Sequence, residues 1–216
     1  MSEAPLIINL LIQSIYEARV QASTLFLYNP EHPLLPLWQD ERGKKSEDDW
    51  DHLLKKVRDR FHKDPNLPNL NLAKLNDQII LWSEIAFLLA EASAKEVKNG
   101  RRSPAPKATN SPIATTTDIL FNRIEEARLY VRDLYKLKPN HPLISLWNDT
   151  DKLKSETDWD NLLQEACKQS KRQLDLTRLD NHVVLWEQII VLLMKAILKE
   201  GGFSQEKEAP NSTSTV

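Results

Sequence analysis

Apolar residues along this chain recur at steps of three and four. The series Ile8, Leu11, Ile15, Ala18, Ala22 and Leu25 comes first, and its spacing is that of one face of an α-helix. A second series runs through Trp50, Leu53, Leu54, Val57 and Phe61, and a third through Leu75, Ile79, Trp82, Ala86 and Leu89. Three such series then return: Leu120, Ile124, Ala127, Val131 and Leu134; Trp159, Leu162, Leu163 and Ala166; Leu179, Val183, Trp186, Ile190, Leu193 and Ile197. The third helix of each set carries further apolar residues. Ile80, Ile85 and Leu88 widen the first stripe, and Val184, Ile189 and Leu192 widen the second. A helix apolar around so much of its circumference is a central one. No segment alternates with the period of a strand, so the expected class is all-α.

The return of the pattern is a match of sequence as well as of hydropathy. A shift of 109 lays residues 15–54 on 124–163, and a shift of 104 lays 75–89 on 179–193. The difference is an insertion in the first copy, near Pro65 to Pro68. All six tryptophans fall into pairs: Trp38 with Trp147, Trp50 with Trp159, Trp82 with Trp186. His32 pairs with His141, Arg19 with Arg128, and Glu17 with Glu126. The expected architecture is therefore a tandem duplication of a three-helix unit. Each unit has about 85 residues, a length at which a lone core is modest. The width of the third helix suggests that the two bundles pack together as a pseudo-twofold pair, like a fused homodimer.

Local signals set the boundaries. Ser46 and Ser155, each followed by acidic residues, read as N-caps of the second helix in each copy. Pro30 and Pro139 end the first helices. Residues 1–98 then form copy one and 118–203 copy two. Residues 99–117, rich in Pro, Ser, Thr and Ala, read as a linker, and 204–216 as a polar tail.

Composition narrows the function classes. The net charge of −2 lacks the footprint of a dedicated nucleic-acid or anionic-membrane binder. Four glycines in 216 residues disfavour phosphate-cradling loops. The lone Cys167 cannot form an internal disulfide or a cysteine zinc site and suits a cytoplasmic location. The N-terminus lacks a basic segment, and the apolar run 189–198 is interrupted by Lys195 and short for a membrane span. Neither membrane attachment nor secretion is expected.

Candidate chemistry gathers at one repeated loop. Pro30-Glu31-His32-Pro33 leads to Trp38 and Asp40; Pro139-Asn140-His141-Pro142 leads to Trp147 and Asp149. An imidazole, an indole and a carboxylate on a proline-framed loop could line a small ligand or partner pocket. They also fit a shaped connection in which His caps a helix end and Trp plugs the core. Arg19 and Arg128, beside the central alanine of each first helix, are candidate anion contacts or internal salt bridges to Asp49 or Asp51. Lys44, Lys45 and Lys154 near the second helices add candidate phosphate contacts. The acidic run Glu47-Asp48-Asp49-Asp51 and its counterpart read as helix capping and solvated surface rather than a cation loop.

Catalytic motifs are missing from the pattern. Arg58 and His62 on the second helix face Cys167 and Lys171 in the other copy, so neither an Arg/His pair nor thiol chemistry is duplicated. No cofactor or metal is expected. The expected role is a non-catalytic helical interaction protein, an adaptor or subunit of a larger complex with a protein partner. The alternatives are a helical nucleic-acid-binding subunit and a small-ligand site at the His/Trp/Asp loop.

Overall fold

A computed structural model describes residues 7–36, 46–65, 67–98, 116–146, 152–170 and 174–201. Among them are six α-helices, a single 3-10 turn and no strand: α1 (Ile7–Tyr28), α2 (Ser46–Lys63), α3 (Leu75–Lys98), α4 (Thr116–Leu137), the turn Pro142–Ile144, α5 (Lys152–Gln169) and α6 (Leu179–Glu200). The helical periodicity was legible almost residue for residue. Every apolar position expected on α1, α2, α4 and α5 is buried. Charge at the helix ends follows the macrodipole on α2, with Glu47, Asp48 and Asp49 in its first turn and Arg60, His62 and Lys63 in its last.

Three boundaries differ from expectation. Ser46 is the first residue of α2 rather than the cap that precedes it. Helix α5 begins at Lys152, so Ser155 lies inside the helix rather than at its cap; the preceding Lys-Leu-Lys residues are good helix formers and extend it upstream. Helix α4 begins at Thr116, two residues inside the span read as linker. The remainder of that span and the tail lie outside the described residues.

Helix α1 packs on α3 and α4 packs on α6, with α2 against α3 and α5 against α6. Contacts also cross between the first three helices and the last three: α1 meets α4 and α5, α3 meets α5, and α2 meets α6. One continuous core results, with side chains from all six helices. This explains the wide apolar stripe of α3 and α6, since each touches two helices of its own half and one of the other. One exception is Val184, expected to widen that stripe; it points outward. Helix α6 is also longer than its apolar run suggested. Its 22 residues are long and apolar enough to cross a membrane, with an 18-residue window of mean hydropathy 1.5, yet half of that window is buried inside the fold, as in the core helix of a globular protein.

The crossing is fixed by polar groups that sequence reading assigned elsewhere. Helices α3 and α6 start at Leu75 and Leu179, both fully buried. The first amides of a helix have no intrahelical acceptor. Leu75 N–H donates to Asp160 Oδ1 on α5 at 2.8 Å, and Leu179 N–H donates to Asp51 Oδ1 on α2 at 2.7 Å. Each carboxylate thus caps a helix of the opposite half. Asp51 also lies 3.6 Å from Arg178 Nε. Burial raises the pKa of Asp51 and of Asp160 above the usual aspartate value, with the capped amide pulling the other way. Asp49 and Asp158 are buried, not solvated; Asp158 Oδ2 accepts from Leu146 N–H at 2.9 Å and ties α5 to the loop after the 3-10 turn.

Near the centre Trp50 lies against Trp82 and Trp159 against Trp186, each pair at 5.7 Å and 53°. Two buried polar side chains anchor the loops ahead of α3 and α6. Gln78 Nε2 donates to Leu72 O, and His182 Nε2 lies at the same 2.8 Å from Leu176 O. The His182 ring also stands edge-on to Trp82, 6.3 Å away.

Two outcomes follow. Asp51→Ala and Asp160→Ala should each lower the unfolding free energy by about 1 kcal/mol in urea titrations, and Asp→Asn, which keeps an acceptor oxygen, by less. Complete burial pushes His182 down to about 4 from 6.5. Between those values the unfolded chain binds a proton that the folded chain refuses. Stability is therefore full above about pH 6.5 and falls as pH drops toward 4. His182→Gln, which copies Gln78, should flatten this slope, narrowing the loss between pH 7.5 and pH 4.5 by on the order of 2 kcal/mol relative to wild type.

Candidate functional site

The repeated histidine loops are built by hydrogen bonds of one pattern. After α1, Asn29 N–H returns to Leu25 O at 2.8 Å and His32 N–H to Asn29 O at 3.1 Å. After α4, Lys138 N–H returns to Leu134 O at 2.8 Å and His141 N–H to Lys138 O at 3.0 Å. Each imidazole then caps the turn that follows. His32 Nδ1 accepts from Leu34 N–H and His141 Nδ1 from Leu143 N–H, both at 3.2 Å. His141 is the N-cap of the 3-10 turn, with Pro142 behind it, where a missing amide hydrogen costs nothing. Leu35 and Ile144 follow and plug the core. A neutral ring accepting at Nδ1 carries its proton on Nε2.

What each Nε2 side faces was not foreseen. His141 Nε2 lies 3.9 Å from Glu200 Oε1 at the end of α6, and Lys138 Nζ holds Glu200 Oε2 at 2.8 Å. His32 feels Glu96 at the end of α3, together with Lys56. Glu96 and Glu200 could have been found. The shift of 104 that pairs α3 with α6 runs on through Ala92, Lys95 and Glu96 onto Ala196, Lys199 and Glu200. Burial lowers the pKa of both imidazoles, and the facing glutamate partly opposes it. These histidines therefore shape the connections and sense a carboxylate. Trp38, Asp40, Trp147 and Asp149, the other members expected at the loops, lie outside the described residues, as do Lys44 and Lys45. Lys154 falls within α5, but its side chain is not among those described.

Arg19 and Arg128 do form ion pairs, though not with Asp49 or Asp51. Arg19 pairs with Asp118 on α4. Arg128 donates to Asn9 Oδ1 on α1 at 3.0 Å and pairs with Glu125 at 2.7 Å. Sequence reasoning missed Asp118 and Asn9 because each sits on the other helix, far away along the chain, whereas Glu125 is a neighbour on α4 itself. Both guanidiniums are engaged in the α1–α4 contact, which weakens their candidacy as phosphate contacts.

A cleft of about 460 Å³ opens between the loops ahead of α3 and α6. Leu70, Asn71 and Leu72 line one side and Leu174, Asp175 and Leu176 the other, with Arg58 at the edge. Arg58 Nη1 is 3.8 Å from Asp175 Oδ1. Asp175 is bonded to both the hydroxyl and the amide of Thr177, which hold its pKa below the usual aspartate value. Burial pushes the Cys167 thiol up, away from the reactive thiolate. Among the described residues no three of His, Cys, Asp and Glu are gathered as a metal ion would need.

The outer surface is more distinctive. Leu10 and Val20 on α1 and Ile119 and Leu129 on α4 are exposed. The first pair occupies the sequence positions that the second pair occupies under the shift of 109. A shallow groove along Tyr16, Val20 and Leu27 continues the apolar surface of α1. No protein-family model matches the chain, and neither a curated protein nor a solved structure does.

Glu200→Gln should lower the titration midpoint of His141 further, since Glu200 is the group that raises it. Histidine Cε1–H chemical shifts followed from pH 4 to 8 would show this. An unmoved or raised midpoint would contradict the facing geometry.

Proposed function

We propose that the chain is a tandem duplication of a three-helix unit, that its copies pack as a pseudo-twofold pair, and that it serves as a non-catalytic interaction protein, an adaptor or subunit of a larger assembly. The pairing is supported by contacts that come in matched sets. Asp51 caps α6 and its counterpart Asp160 caps α3. Arg19 reaches Asp118, and its counterpart Arg128 reaches Asn9, the counterpart of Asp118. Gln78 and His182, matched in sequence, hold the matched carbonyls of Leu72 and Leu176.

The observation that carries the functional reading is the outward apolar set Leu10, Val20, Ile119 and Leu129. Buried packing does not explain these residues, and they recur at equivalent positions on two helices that lie against each other. A surface presented twice suits a twofold partner or two copies of one partner, and double engagement multiplies affinity. Rows of apolar side chains on adjacent helices favour a protein partner over a phosphate backbone, which would call for cations.

The test compares the whole chain with the variants Leu10→Asp/Leu129→Asp and Val20→Asp/Ile119→Asp as baits in a native lysate, read by quantitative mass spectrometry. A partner held in fixed ratio by wild type and lost from both variants is expected. The variants should keep wild-type helicity, since exposed substitutions alter stability by only about 0.5 kcal/mol. Equal capture by all three baits would overturn the reading. Residues 1–100 expressed alone test the pairing. Without Asp160 to cap Leu75, the fragment should self-associate or unfold, and a stable folded monomer would count against the docked pair.

A further inference from the structure

The outward face of α6 is apolar in a row of its own. Val184, Val191, Met194 and Leu198 are 36%, 39%, 41% and 50% exposed. With Glu187 between the first two they recur at steps of three and four, on the side opposite the buried Leu185, Ile189, Leu192, Leu193 and Ala196. On a helix surface, residues four apart form a ridge. Here one ridge reads Glu187, Val191, Lys195, with opposite charges at its two ends. A second row, seven residues apart, reads Val184, Val191, Leu198. Both rows are centred on Val191.

We infer that this face docks against the same face of a second copy, antiparallel, with Val191 on the twofold axis. In that arrangement Val191 meets its own copy once on the axis, while Val184 opposes Leu198 of the second copy and Glu187 opposes Lys195, these two contacts each occurring twice as a closed dimer requires. Charge selects this occupant and this direction. A parallel pair would set Glu187 against Glu187 and Lys195 against Lys195. The matching face of α3 does not serve. Phe87 stands where Val191 does, but Ser83 and Glu91 stand at the ridge ends. Laid antiparallel on α6, that face would put Glu91 against Glu187. Arg123 on α4 holds Glu187 Oε1 at 3.1 Å, which orders the carboxylate before any docking. Residues other than the α1 and α4 set form this face, so the inference stands apart from the adaptor reading.

Sedimentation equilibrium of the whole chain, from low to high micromolar concentration, tests it. A monomer–dimer equilibrium is expected. Val191→Glu, which sets like charges at the axis, should weaken association at least about tenfold with helicity unchanged. Lys195→Glu should weaken it too, and Glu187→Lys combined with Lys195→Glu should restore it. A wild-type chain that stays monomeric, a dimer indifferent to Val191→Glu, or a double exchange that fails to restore dimerisation would each overturn the proposal.

Discussion

The amide hydrogens at the starts of α3 and α6 sit in the interior with no carbonyl of their own helix to accept them. Leu75 and Leu179 are fully buried, and a buried amide without an acceptor costs about 1–3 kcal/mol. The acceptor in each case is a carboxylate from the other half of the chain, Asp160 or Asp51. This requirement brings α5 onto α3 and α2 onto α6. It also sets the His182 ring against Trp82 and merges the packing of six helices into one core. Proline-framed loops and tryptophan pairs shape each half, while the crossed caps decide how the halves meet.

Among the described residues, the candidate polar groups are engaged inside the molecule. The imidazoles of His32 and His141 accept backbone amides, Arg19 and Arg128 join α1 to α4, and the acidic starts of the second helices supply caps and loop anchors. Apolar side chains also remain outward. Leu10, Val20, Ile119 and Leu129 face solvent on α1 and α4, and a separate row faces solvent on α6. The proposed adaptor role and the proposed dimer each rest on apolar surface that the fold does not bury, one on its recurrence and the other on its charge register.

The sequence by itself determined the helices, their buried faces and the matched positions. Spacing along an α-helix maps directly onto a face, and Trp50, Trp82, Trp159 and Trp186 had to lie inward wherever the helices went. It also placed both histidines on structured loops. It did not identify the partners of Arg19, Asp51 or His141, because each partner lies on a helix brought near only by the packing of the whole chain. The same limit misplaced Val184, whose side of the stripe depends on how far the neighbouring helices wrap around α6. Tertiary structure also turned an acidic run into specific caps, since adjacent carboxylates on one helix point to different surroundings. Periodicity is a property of one helix and survives in sequence; the choice of acceptor for a buried donor belongs to the space between helices and does not.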